Sequence, residues 1–138
     1  MGEVLAAELD NLVRIGKLKR EPPSDEEIAG LLQSAEERLA DAARLDLSYS
    51  SRFDLAYNAA HAFALVALRR AGYRSDNRYL VFQALAHTVG MAPERWRILA
   101  KAHELRNLAE YEGHLERDDQ LLADVLKTAE QLRKVLRA

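Results

Sequence analysis

The sequence predicts an all-α fold, a bundle of four main helices with shorter helical pieces, and three observations carry that expectation. Apolar residues recur at three- and four-residue spacing through most of the 138 residues. No stretch alternates apolar and polar residues between turn signals, as a half-buried strand would. Only 6 glycines and 3 prolines interrupt the chain, which is otherwise rich in the strong helix formers alanine, leucine, glutamate and arginine. A chain of this length fits one domain around one core.

In chain order, residues 1–18 suit a short amphipathic helix or a loosely held arm. Residues 1–23 are set apart as an N-terminal piece from a bundle domain over 24–138. The segment KREPPSDEE breaks the periodicity, and Ser24 with Glu27 makes a capping box that opens the second helix. Ile28, Leu31, Leu32, Ala35, Leu39 and Ala42 line one face of it. LDLSYSS ends that helix, with Ser50 or Ser51 as the next N-cap.

The third helix is expected from Phe53 to Ala71. It is apolar nearly all round, which suits the most buried helix of a bundle, and Gly72 is its stop. After the loop YRSDN, RYLVFQALAHTVG makes one shorter helix closed by Gly90. Pro93 sits in the first turn of the next helix, which runs from about Ala92 through Glu112 to a stop at Gly113. The last helix carries Leu121, Leu122, Val125, Ala129, Leu132 and Leu136 as a single stripe.

Composition narrows the chemistry. There are no cysteines, so disulfides, zinc-finger-type sites and thiol nucleophiles drop out together. A net charge of −2 gives no global attraction to nucleic acid or acidic membranes, so any such contact must be local. The longest apolar stretch, AAHAFALVAL, is about half of what a bilayer span needs. MGEVLAAELDNLV has no basic region of the kind that opens a signal peptide, so the expectation is a cytoplasmic protein without a membrane anchor.

No cofactor or metal is expected either. The chain lacks a Gly-rich phosphate loop and a nucleophile elbow. His61, His87, His103 and His114 include no pair at helical ligand spacing. His61, near Asn58 and Asp54, suits a hydrogen-bonded core histidine. Arg69 and Arg70, at a helix C-terminus, suit complementing the helix dipole. With Arg74, Arg78, Arg95, Arg97 and Arg106 they make a diffuse basic set, a weak nucleic-acid signature by itself.

The stretch ELRNLAEYEGH, residues 104–114, is the densest in chemistry. Helical geometry gives Ile98, Ala102, Leu105 and Ala109 one apolar face and sets Arg106 at its border, one turn after His103 and one before Glu110. An Arg106–Glu110 pair at i,i+4 is the ordinary reading, worth at most ~0.5 kcal/mol. Asn107 is a poor interior helix former. An Arg-Asn pair beside an apolar seam has the chemistry of a phosphate-contacting edge.

At these residues the chain resembles a HEPN domain, and the likeness extends over roughly residues 24–138. That family's mark is an arginine followed by a polar residue, then a histidine a turn or two further on. RNLAEYEGH supplies Arg106 and Asn107. SSRFDLAYNAAHAFALVALRRAGYR resembles the family helix that leads to a glycine stop. The resemblance implies an up-down helical bundle of the bacterial HepT-like branch. It also implies a homodimer with the two arginine motifs facing one another, a nucleotide or RNA ligand, and a nucleotidyltransferase antitoxin as partner.

In the family the arginine stabilises phosphate while the histidine moves a proton. Here Tyr111 stands where that histidine is expected, and His114 lies beyond Gly113. A phenol is a poor base at neutral pH. The resemblance therefore implies a binding protein that is weak or inactive as a nuclease, with Arg106, Asn107 and Tyr111 as its site and His114 behind them. Whether the chain is an enzyme stays open. One alternative is an active metal-independent endoribonuclease toxin using Arg106 with His114 or Tyr111. Another is a non-catalytic helical interaction module, in which the Arg106–Glu110 pair is the motif's only contact and Asn107 is solvent exposed and replaceable.

Overall fold

The computed structural model describes residues 2–138, with side chains from residue 7 onward. Four long helices dominate it: α2 (Asp25–Ala42), α3 (Tyr49–Arg70), α6 (Pro93–Glu112) and α7 (Asp119–Arg137). Shorter helices α1 (Gly2–Arg14), α4 (Arg78–Gln83) and α5 (Leu85–Thr88) fill in around them. The all-α expectation holds. A two-residue antiparallel ladder joins β1 (Lys19–Arg20) to β2 (Tyr73–Arg74), pairing Lys19 with Arg74 and Arg20 with Tyr73. Two residues are too few for an alternation to register in the sequence.

The helix ends follow local chemistry. Ser24 accepts from the Glu27 amide while the Glu27 carboxylate reaches back to the Ser24 amide, the full capping box. Asn77 and Asp118 cap α4 and α7 by accepting from Leu80 and Leu121. Pro93 occupies the first turn of α6, and Gly113 ends that helix at φ 72°, a left-handed position glycine adopts without Cβ strain.

Two boundaries differ from expectation. The cap of α3 is Ser48, whose hydroxyl accepts from the Ser51 amide, rather than Ser50 or Ser51 themselves. The segment expected as one helix up to Gly90 is two, parted at Ala84. Leu80, Val81, Phe82, Ala84 and Leu85 are all buried. Ala84 keeps helical dihedrals (φ −63°, ψ −17°) and donates to the Leu80 carbonyl, so the parting is a single residue and the segment stays one buried stretch.

α3 is the central element, packed most extensively against α2 and α7. Its Phe53, Tyr57, Phe63, Val66 and Leu68 are almost wholly enclosed. Leu9 and Leu18 are buried in the same core, so the segment before α2 contributes to it. Among the described residues, no helix is long and apolar enough to cross a membrane.

Arg69 does more than complement the dipole of α3. It is 2% exposed, and each of its five N–H groups meets an oxygen. Nε and Nη2 fork onto the Glu27 carboxylate at 2.9 and 3.1 Å. Nη1 donates to the carbonyls of Glu21 and Tyr73, and Nη2 also to that of Pro22. This saturated guanidinium ties the chain ahead of α2 to the end of α3. Arg70 also has a specific role, donating to the Leu136 carbonyl near the end of α7 at 2.7 Å.

Candidate functional site

α3 is not apolar all round. Asp54, Tyr57, Asn58 and His61 follow the i, i+3, i+4, i+7 spacing that puts four side chains on one helical face. His103, Arg106, Asn107 and Glu110 repeat the same spacing on α6. The two stripes meet in antiparallel sense: Tyr57 reaches His103, and Asp54, a turn earlier on α3, reaches Arg106, a turn later on α6. α4 closes one side with Arg78 and Phe82.

Arg106 reaches this position because the buried face of α6 is rotated from the expected one. Trp96, Leu99, Ala100 and Ala102 are its buried residues, whereas Ile98, Leu105 and Ala109 are only partly covered. Leu99 and Arg106 are seven residues apart and share a face. The line that enters the core at Leu99 therefore emerges at His103 and Arg106, as α6 leaves the core at its C-terminal half.

Tyr57 is the fixed centre. It has no exposed surface, and its hydroxyl lies 2.8 Å from His103 Nδ1. The His103 ring stacks on the Tyr57 ring at 6.0 Å and 18°, and Phe82 meets both rings edge-on. The other imidazole nitrogen, Nε2, lies 3.2 Å from the Asn107 side-chain amide. The two contacts are linked: if Tyr57 donates to Nδ1, Nε2 carries the hydrogen and Asn107 must present its oxygen, while the other tautomer reverses both.

The Arg106 guanidinium carbon lies 5.2 Å from the centre of the Tyr57 ring, a cation–π placement. Its Nε donates to Asp54 Oδ1 at 3.1 Å, and Nη1 stands 3.4 Å from Glu110 Oε1. Asp54 and Glu110 are 56% and 65% exposed, so these are surface pairs of small energy. Among the described residues, the other four N–H groups of Arg106 have no hydrogen-bond acceptor.

Both imidazoles are held toward the neutral form. Burial lowers His61 to about 4, and the charge of Arg78 and the neighbouring His103 push the same way. Burial also lowers His103, reinforced by Arg78 and Arg106. His61 packs edge-on against Phe82, and among the described residues it makes no hydrogen bond, unlike the hydrogen-bonded core histidine expected. No three His, Asp or Glu side chains gather as a metal site among the described residues.

Arg106, Asp54 and Glu110 form one wall of an open cleft of about 370 Å³, and Gly113, His114 and Leu115 form another. His114 is thus an exposed loop residue that shares this cleft with Arg106. Asn107 is exposed and lies on the His103 side. Tyr111 is 94% exposed and is not among the residues lining the cleft. Arg106 has contacts well beyond Glu110, which the interaction-module alternative does not expect, whereas Asn107 is solvent exposed, as that alternative does expect.

Asp54, Tyr57, Arg78 and His103 are parts of the site that sequence reasoning on one helix overlooked. Their signal was present as two identical spacings, D-x-x-Y-N-x-x-H and H-x-x-R-N-x-x-E, on separate segments.

Fold and site together define a class: an all-α protein with an arginine held over a buried tyrosine between two polar helix stripes. Comparison with protein-family models, with curated proteins and with solved structures finds no match to this chain.

Proposed function

We propose that this chain is a HEPN-type protein that binds a nucleotide or RNA through its phosphates, acts as a homodimer, and binds rather than cuts. The observation that carries the reading is Arg106. It is anchored by Tyr57 and Asp54 at the edge of a cleft, with most of its N–H donors unspent. A guanidinium so placed has the geometry for charge-assisted, two-point contact with a phosphate. A nucleotidyltransferase antitoxin is the partner this reading carries. Leu108 and Tyr111, exposed on the same helix at 49% and 94%, offer apolar surface for a second copy.

The test is binding of a labelled single-stranded RNA and of a nucleotide to the purified chain, with Arg106→Ala alongside. The variant should lose binding at least tenfold; binding equal to wild type would remove the site assignment. Light scattering should give the mass of a dimer.

One observation favours a second reading, a metal-independent endoribonuclease: His114 lines the same cleft as Arg106. Total RNA left intact by the protein in EDTA argues for binding alone, while cleavage lost in His114→Ala favours the nuclease.

A further inference from the structure

Arg78 occupies the first position of α4 and is half-buried. No carboxylate lies within ion-pair distance of it among the described residues, a lack it shares with Arg14, Arg38, Arg52, Arg70, Arg95 and Arg97; of that group it alone lies over the buried Tyr57 ring. Its one hydrogen bond runs from Nη1 to Asn58 Oδ1 at 3.0 Å. Its guanidinium carbon lies 5.5 Å from the centre of the Tyr57 ring.

A partly desolvated cation without a counter-charge is unfavourable. The start of a helix, where the dipole favours an acid, adds to that. The charge also disfavours protonation of both neighbouring imidazoles. The bond to Asn58 needs only a neutral donor and the Tyr57 ring offers a quadrupole rather than a counter-charge, so Arg78 meets no anion among the described residues.

Arg106 approaches the same buried ring from α6, at 5.2 Å. Two guanidiniums from different helices are thus positioned by one immobile side chain, each with most of its planar donor set unused. Arg78 is not among the residues lining the cleft of Arg106, so an anion that meets both guanidiniums extends from that cleft toward α4. Phosphate suits two guanidiniums at once, because a fork from each uses two oxygens and a phosphate has more than the two of a carboxylate to share.

We propose that Arg78 is a second phosphate-binding group of this site, acting with Arg106 to hold a nucleotide or RNA through its phosphate groups. The proposal rests on the reading of Arg106 given above, and its failure is separable from the failure of that reading.

The experiment titrates wild type, Arg106→Gln and Arg78→Gln with a fluorescently labelled single-stranded RNA and, separately, with inorganic pyrophosphate. Circular dichroism and thermal melting check that each variant is folded. Arg78→Lys, which keeps the charge without the fork, covers the case in which Arg78→Gln fails to fold, and there an affinity intermediate or lower is expected. Losses of at least tenfold in both glutamine variants, for both probes, support the proposal. Loss for RNA alone keeps the assignment and makes a nucleic-acid backbone the ligand.

If Arg106→Gln loses binding while the Arg78 variants bind like wild type, the proposal is overturned and the Arg106 reading stands. If wild type binds neither probe, both fall. A second readout needs no ligand: removing the Arg78 charge should move the His61 and His103 NMR titrations to higher pH. No movement of either would overturn the premise that this charge stands uncompensated.

Discussion

Arg69, at the end of α3, is 2% exposed and has an oxygen for every N–H. The Arg106 side chain, on α6, is 30% exposed and gives a single hydrogen bond, to Asp54. Both arginines face carboxylates, both sit on long helices of one core, and in the sequence each has an ordinary explanation. The difference is in what surrounds them. Arg69 is enclosed by three carbonyls and a carboxylate fork, which spends its whole donor capacity on holding the chain ahead of α2 in place. Arg106 is braced from below by an aromatic ring and keeps its outer donors open. A saturated guanidinium is structure, and an unsaturated one on a rigid support is available for binding.

The strongest way to test that contrast is to truncate both. Arg69→Ala strands the Glu27 carboxylate and three carbonyls, and should lower unfolding free energy by about 3–5 kcal/mol. Arg106→Ala should lower it by about 1 kcal/mol, because its carboxylate partners are exposed and its one buried contact is the face of the Tyr57 ring. Urea denaturation of both variants measures the gap, and equal losses would erase the distinction.

Acid separates the two regions next. The folded-state value of His61, about 4, lies below its ordinary 6.5, so the unfolded chain takes the proton first. Stability is complete above pH 6.5 and falls as pH drops toward 4, by on the order of 3 kcal/mol at most. His103 acts in the same sense. Hydrogen bonds from Arg69 hold Glu27 below its ordinary 4.5, as those from Arg74 hold Glu21, so the knot around Arg69 weakens only below pH 4.5. Between pH 6.5 and 4.5 the wild-type slope should therefore report the histidines. His61→Asn should flatten it by up to ~1.4 kcal/mol per pH unit. An unchanged slope would show that folding does not lower the His61 pKa.

A comparably small effect is expected at the support itself. Tyr57→Phe keeps the ring under both guanidiniums and removes only the bond to His103, so stability should fall by about 1 kcal/mol. RNA affinity should change little if the ring is the platform. A large loss of affinity would shift the emphasis from the ring to the hydroxyl and the imidazole it holds.

Much of the scaffold was legible before any coordinates. Ser24 with Glu27, Pro93, Gly72 and Gly113 mark helix ends through contacts within a turn, and leucine spacing marks the buried faces of α2 and α7. These signals are local, so the sequence by itself determined the all-α class and most element boundaries. It also singled out Arg106 and Asn107 as worth attention. It missed the parting at Ala84, a single residue that keeps helical dihedrals, and it set the apolar face of α6 on Ile98, where Leu99 is the fully buried residue.

Tertiary structure alone decided what each polar side chain meets. Arg69 finds Glu27 42 residues away, Tyr57 finds His103 46 away, and Arg106 finds Asp54 52 away. Such partners follow from how α3, α4 and α6 cross, which no single helix encodes. Whether a guanidinium is saturated or open depends on the desolvation and donors that crossing creates, so the same residue becomes a brace at position 69 and a candidate binding group at position 106.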